Sequence, residues 1–252
     1  MDVDDDQATE DAVLRKVNLR VVPLLGLAFF MSFLDRINIG ILATSMEADL
    51  ALTAEAFGFA VGIFYIGYLI LQVPSNVAMY KFGGRIWITR ILATWGIACA
   101  AIAFVETPTQ LYIARFALGA AEAGLVPAIL LLIAQWYPRA KRGQGYALFQ
   151  LWEPFALAVG AVVTTALLAA FTGVGPLAGW RWVFLIEGLA TVVVGGFLGP
   201  YIYGVLTTMT GGPETGLYVM GAVLTIAALL AAFIDRLERQ SADSTVVDGL
   251  RG

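Results

Sequence analysis

The sequence has very few of the residues on which most catalytic and metal sites depend. It contains no histidine and a single cysteine, Cys99, among 252 residues. Zinc sites, Ser-His-Asp triads and disulfide frameworks are therefore excluded or nearly so. No basic tract indicates a nucleic-acid partner. We accordingly predict no metal, no cofactor, no nucleic acid and no enzymatic activity.

Charge is also scarce, and it is concentrated at the two ends of the chain. Charged residues make up 13% of the sequence and hydrophobic residues 60%, whereas a typical soluble chain is about 25% charged. Of the 19 acidic residues, six lie within the first eleven positions and four follow position 234. The long interior is thus almost uncharged, which indicates a membrane protein that crosses the bilayer several times.

Seven apolar runs are long enough to cross a bilayer, whose core of about 30 Å requires about 20 helical residues. They lie near 21–44, 56–79, 86–105, 111–135, 145–171, 182–206 and 216–234. Lys and Arg cluster before the first run, between the second and third, and between the fourth and fifth. Because basic residues favour the cytoplasmic side, we expect the N-terminus inside.

The sixth and seventh runs conflict with that topology. Seven crossings would place the C-terminus outside, yet Arg236, Arg239 and Arg251 follow the last run and favour the cytoplasm. The sixth run is long for one helix and too short for two, and glycines and Pro200 interrupt its second half. Either it is one tilted, kinked helix, or pieces of two different helices are joined near Gly196.

Six charged residues fall inside the predicted spans, where each costs about 2.5–3.5 kcal/mol unless it is compensated. They are Asp35, Arg36, Arg115, Glu122, Glu153 and Glu187. A helical rise of 1.5 Å per residue places Asp35, Arg36 and Arg115 at similar depths. The same rise places Glu122 near the midplane, too far from Arg115 for a direct pair.

Two interpretations of these charges are open. One is a water-accessible cavity in which arginines bind an anionic solute, carboxylates exchange protons and Gly119 leaves room for the solute. The other is a structural ion-pair network that ties the first and fourth helices together. The small residues around Gly119 would also allow close helix contact, and Glu187 could pair with Arg181 near the interface.

Six strings in order resemble the first six helices of major facilitator superfamily transporters. They are LDRINIG (34–40), GYLILQVPSN (67–76), GGRIWITR (83–90), RFALGAAEAGLVPAI (115–129), WYPRAKRGQGYALF (136–149) and GWRWVFLIEG (179–188). They are most similar to the anion:cation symporter branch, which includes sugar-acid, tartrate and phthalate transporters. The resemblance implies an all-α integral membrane fold and H⁺-coupled symport of an organic anion by alternating access.

The resemblance also implies roles for particular residues. The implied substrate-binding residues are Arg36, Arg115, Tyr68, Gln72 and Asn38, the proton-coupling residues are Asp35, Glu122 and Glu153, and the gating loop contains Lys81, Gly83 and Arg85. This loop lacks the acidic residue usual in the superfamily. Glu153 stands where relatives often carry Gln, and a carboxylate there would repel an anion unless it were protonated.

The domain organisation implied by the resemblance is that of an internally deleted transporter. Residues 1–20 form an acidic cytoplasmic tail, 21–196 the N-terminal six-helix half, 197–234 a remnant of the last helices, and 235–252 a polar tail. We expect a multi-pass protein of the bacterial inner membrane whose partners are a small organic anion, protons and the lipid bilayer. The alternative is a non-transporting or regulatory fragment that associates with itself, as a homodimer, or with a full-length paralogue.

Overall fold

The computed structural model describes residues 14–19 and 21–210, except for the side chains of residues 85 and 199–210. Within these ranges the regular elements are helices, with one 3₁₀ turn at Arg139–Lys141. The α-helices are α1 (Val22–Ile41), α2 (Ala43–Asp49), α3 (Ala54–Phe82), α4 (Gly84–Ile102), α5 (Pro108–Glu122), α6 (Leu125–Trp136), α7 (Arg142–Gln150), α8 (Trp152–Phe171) and α9 (Gly179–Thr210).

The first six predicted spans are all helical. Five helical stretches are long and apolar enough to cross a membrane, namely Leu14–Ile41, Ala54–Phe82, Pro108–Trp136, Arg139–Phe171 and Gly179–Leu198. The shorter apolar helix Ile86–Ile102 supplies the remaining span. The all-α membrane architecture is therefore confirmed. The predicted seventh span at 216–234 and the two polar tails lie outside the described residues, apart from a short part of the first tail.

The sixth span is one continuous helix. With 32 residues, α9 is about 48 Å long at 1.5 Å per residue. It therefore exceeds the bilayer core of about 30 Å, and it passes Gly196 and Pro200 without a helix break. The helix shows no break at the predicted junction near Gly196, and the junction stays a prediction.

The fourth span, by contrast, is broken where the sequence predicted one helix over 111–135. Gly124 has φ +90° and separates α5 from α6. Glycine adopts this left-handed conformation without the steric penalty that a Cβ imposes. A Cβ at this position would also lie 2.7 Å from Cβ of Ser75 on α3. The break makes Glu122 the last residue of α5.

Glycines bring two pairs of helices into backbone contact. In the pair α3 and α5, a Cβ on Gly119 would collide with the carbonyl oxygen of Phe64. In the pair α4 and α9, a Cβ on Gly96 would lie 2.6 Å from the carbonyl oxygen of Gly188. The predicted close helix contact is thus present. The prediction that Gly119 leaves room for a solute is wrong, because the backbone of α3 fills that space.

Arg181 fastens the start of α9 to two neighbouring elements. Its Nη2 lies 2.9 Å from Oδ2 of Asp49 at the end of α2. Its Nη1 donates to the carbonyl oxygens of Ala103 at 2.9 Å and Val105 at 2.7 Å, just beyond the end of α4. Arg181 therefore satisfies carbonyls that a helix end leaves without partners. The suggested pairing of Glu187 with Arg181 is wrong.

Candidate functional site

A buried ion pair joins the first and fourth spans. Nη2 of Arg36 on α1 lies 2.6 Å from Oε1 of Glu122, and the Ser32 hydroxyl donates to the same oxygen at 2.5 Å. Ser32 and Arg36 are four residues apart, so they share one face of α1. Glu122 is fully buried, whereas the Arg36 side chain is 23% exposed. The sequence predicted both charged residues but not Ser32.

Arg115 lies nearby and is almost completely buried, with 2% of its surface exposed. Its Nε donates to the carbonyl oxygen of Ala60 at 3.3 Å. The ring of Phe64 lies between the two guanidiniums, with its centroid 4.9 Å from Cζ of Arg115 and 5.8 Å from Cζ of Arg36. The ring of Tyr68 lies 5.2 Å from Cζ of Arg36. These aromatic faces stabilise the two cations while leaving N–H groups free.

Three polar atoms of this charged cluster have no partner among the described residues. They are Nη1 of Arg115, Nε of Arg36 and Oε2 of Glu122, and all three are buried. A buried N–H or oxygen without a hydrogen bond is costly. Guanidinium groups match carboxylates through paired N–H donors. Within the described structure, the cluster therefore keeps two unpaired N–H donors on the arginines and one unpaired carboxylate oxygen on Glu122.

Asp35 faces a different set of helices although it precedes Arg36 directly. Successive residues of an α-helix point about 100° apart, and Asp35 turns towards α4. It accepts hydrogen bonds from Nε1 of Trp95 and from Sγ of Cys99, the latter at 3.2 Å. With 1% of its surface exposed, Asp35 is buried on a different face of α1 from the one that carries the Glu122 pair. Trp95 and Cys99 were not predicted as site residues.

Asn38 lies in the same buried region as Asp35 and not beside the arginines. Its Nδ2 donates to Oε2 of Glu187 on α9, and its Oδ1 accepts from the Thr164 hydroxyl on α8. Both polar atoms of the Asn38 amide thus form hydrogen bonds to other helices. A substrate role for Asn38 stays a prediction. The charge of Glu187 inside an apolar run was the signal for this second network.

Gln72 and Glu153 are not joined to either network. Gln72 follows Tyr68 by one turn on α3 and is half-buried. Glu153, in the first turn of α8, is also half-buried, and no hydrogen bond or ion pair links it to another residue of the described ranges. In those ranges no three His, Cys, Asp or Glu side chains come together in a way that could hold a metal ion.

The predicted gating loop is a sharp turn between α3 and α4. Lys81 and Gly83 are exposed, and Gly83 has φ +86°. Nζ of Lys81 lies 5.8 Å from the ring centroid of Phe82. The side chain of Arg85 lies outside the described part of the chain. A gating role for these residues stays a prediction.

The helical arrangement has counterparts among solved structures. It superimposes on a bacterial homologue of the human lysosomal transporter Spinster, in an inward-facing and occupied conformation, with a TM-score of 0.65. The two sequences are 20% identical, and the match covers 73% of this chain and 44% of that one. At this identity the likeness establishes the fold, a helical membrane-transporter fold of which this chain holds about one half.

Residues 25–196 match the sequence profile of the Major Facilitator Superfamily. That match covers more than half of the chain, so the protein belongs to this superfamily of membrane transporters. The predictions of the family, of an integral membrane protein and of a non-enzyme are confirmed.

Several curated relatives are similar over the same region. A protein of Agrobacterium vitis named "Putative tartrate transporter" is 44% identical over 186 residues, which is 74% of this chain and 43% of that one. The quinolone resistance transporter of Acinetobacter baumannii is 39% identical over 185 residues, 73% of this chain and 42% of that one. The inner membrane transport protein RhmT of Escherichia coli K12 is 38% identical over 187 residues, 74% and 43% of the two chains. The chain thus spans less than half the length of these relatives.

Proposed function

We propose that this chain serves H⁺-coupled symport of a small organic anion, a carboxylate or sugar acid, by alternating access. The observation that carries the proposal is the Arg36–Glu122 pair beside Arg115, whose buried Nη1 has no partner in the described structure. The name of the Agrobacterium vitis relative, which refers to tartrate, supports an organic anion. The similarity to the anion:cation symporter branch supports the same class of substrate.

The charges of the cluster suggest how anion and proton bind together. Two cations, Arg36 and Arg115, balance two acids, Asp35 and Glu122, when both acids are ionised. A proton on Oε2 of Glu122 would weaken its pair with Arg36 and leave one excess positive charge. A substrate carboxylate could then bind Arg36 and Arg115 and restore neutrality in the low-dielectric interior. One proton therefore accompanies each negative charge of the substrate.

The length of the chain bears on how this cycle is completed. Alternating access moves one half of a transporter against the other, with the substrate between them. The described helices correspond to one half, and we assign residues 197–234 to a remnant of the other. We therefore propose that a second copy or a full-length paralogue supplies the helices on the other side of the substrate. We propose a bacterial inner membrane as the location, and the basic clusters support an N-terminus on its cytoplasmic side.

A second candidate function, that of a non-transporting or regulatory fragment, is favoured by the surfaces of α3 and α8. In each of these two spans, only 17% of the most apolar stretch is buried inside the described structure. In the fragment, both helices would present apolar side chains to a paralogue or to a second copy. The fragment would then alter the assembly or activity of its partner and would not itself carry a substrate.

Proton-driven uptake in proteoliposomes separates the two functions. Purified protein is reconstituted and given tartrate, sugar acids and dicarboxylates under an inward proton gradient, beside a full-length relative. We expect uptake that Arg36→Ala abolishes and that Arg36→Lys weakens, because lysine lacks the bidentate fork. Uptake unaffected by Arg36→Ala would contradict the anion site. No uptake by this chain, with an active relative, would favour the regulatory fragment.

A further inference from the structure

Glu187 is a buried carboxyl group that the proposed transport cycle does not use. It lies in α9 with 2% of its surface exposed. Its Oε2 accepts a hydrogen bond from Nδ2 of Asn38, whereas its Oε1 is buried without a partner among the described residues. The Thr191 hydroxyl, one turn later, donates to the main-chain oxygen of Glu187 at 2.9 Å and leaves the carboxyl group unaffected.

The elements packed around Glu187 supply no cation within the described structure. From α1 the charged group is Asp35, which is itself acidic, and from α4 the titratable group is the thiol of Cys99. From α8 comes Thr164, which is neutral and bonds to Asn38. Arg115 acts on Asp35 and Cys99 but forms no pair with Glu187. An ionised Glu187 would thus hold a buried charge with a single hydrogen-bond donor.

The charge balance of the interior leads to the same conclusion. Arg36 and Arg115 are already balanced by Asp35 and Glu122, so an ionised Glu187 would leave the membrane interior with an uncompensated negative charge. Buried charges without a partner are strongly disfavoured, and the group becomes neutral instead. Two nearby acids in a low-dielectric site also resist simultaneous ionisation.

We infer that Glu187 is a proton-binding site, neutral at physiological pH, which together with Asp35 forms a store of one proton, on a different face of α1 from the Arg36–Glu122 pair. Asn38 holds the Glu187 carboxyl group from α1, one turn beyond Asp35, and Cys99 contacts Asp35. The use of this proton in transport rests on the proposed function, whereas the protonation of Glu187 does not.

Infrared spectroscopy of the purified full chain in alkyl maltoside micelles, whose detergent has no carbonyl group, tests the protonation directly. A protonated carboxylic acid has a C=O stretching band that an ionised carboxylate lacks. We expect wild type to show this band at pH 7 and Glu187→Gln to lose it, because Gln keeps the acceptor for Asn38 but has no proton to report. Glu55→Gln, a change at an exposed carboxyl group at the start of α3, is the matched control and should leave the band unchanged.

The outcomes of the infrared experiment are distinct. Loss of the band in Glu187→Gln and its presence in Glu55→Gln would support the inference. A wild-type spectrum without the band at pH 7 would overturn it, and that measurement requires no variant to fold. A band that persists at full intensity in folded Glu187→Gln would also overturn it, since the proton would then reside elsewhere.

Transport measurements then test the role of the store in coupling. In proteoliposomes that take up tartrate, Glu187→Gln should keep exchange of internal for external tartrate while losing accumulation driven by the proton gradient. Glu187→Asp, which restores a titratable group, should recover part of that accumulation. If wild type transports nothing yet shows the infrared band, the proposed function fails and the proton site stands. Unchanged gradient-driven accumulation in Glu187→Gln would overturn the coupling role.

Discussion

Arg36→Gln removes the cation whose Nη2 lies 2.6 Å from Oε1 of Glu122. Because Glu122 is fully buried, the variant leaves a carboxylate in the interior with the Ser32 hydroxyl as its hydrogen-bond donor. Breaking a buried pair in this way costs about 3–5 kcal/mol. The Arg36 side chain is 23% exposed, so water offsets part of the loss and we expect about 3 kcal/mol, the lower end of that range.

Glu122→Gln in the same chain should recover most of that loss, because no uncompensated charge then remains. The double variant should lie about 1 kcal/mol below wild type, the value of one net hydrogen bond. Glu122→Gln alone should cost about 1 kcal/mol, because the partly exposed Arg36 keeps an amide oxygen as acceptor. The coupling energy of the double-mutant cycle is then about 3 kcal/mol.

The free energy of unfolding can be measured by titrating denaturing detergent into mixed micelles and following tryptophan fluorescence. Arg139→Gln, at an exposed arginine of the connection between α6 and α7, serves as the control and should change stability by less than about 0.5 kcal/mol. Additive effects of Arg36→Gln and Glu122→Gln would refute the pairing. So would a loss for Arg36→Gln no greater than that of the control.

Three further predictions follow from the packing. Gly119→Leu should destabilise the fold by about 1–3 kcal/mol in thermal unfolding. Gly62→Leu should not, because a Cβ at Gly62 meets nothing within 4 Å; equal effects of the two variants would contradict the α3–α5 contact. Cys99 is fully buried, so a maleimide should label it only after denaturation, and rapid labelling of the native protein would show that the interior is open. Arg181→Ala should lower the free energy of unfolding by about 1–3 kcal/mol, because its hydrogen bonds are lost. Asp49→Asn, at an exposed ion pair, should lower it by about 0–1 kcal/mol. A larger loss from Asp49→Asn than from Arg181→Ala would refute this ranking.

The helices and the family could be predicted from the sequence because both depend on local patterns. Hydropathy alone locates six spans, and the strings around Asp35 and Arg115 identify the superfamily. These features require no knowledge of which helices are neighbours.

The partners of each charge could not be predicted, because they depend on how distant helices cross. Arg36 and Glu122 are 86 positions apart, and no spacing rule relates them. Gly119 shows the same limit, since a missing side chain is compatible with a cavity or with a helix contact until the position of α3 is known. The break at Gly124 was missed because glycine is also tolerated inside membrane helices.

Because Asp35 and Arg36 are adjacent on α1, their two sets of contacts must change together. One residue bonds to Trp95 on α4 and the other to Glu122 on α5, in directions about 100° apart. A rigid helix cannot turn one of these side chains without turning the other. Rotation of α1 about its axis therefore loosens both contacts together, so the orientation of this one helix couples the contact with α4 to the contact with α5.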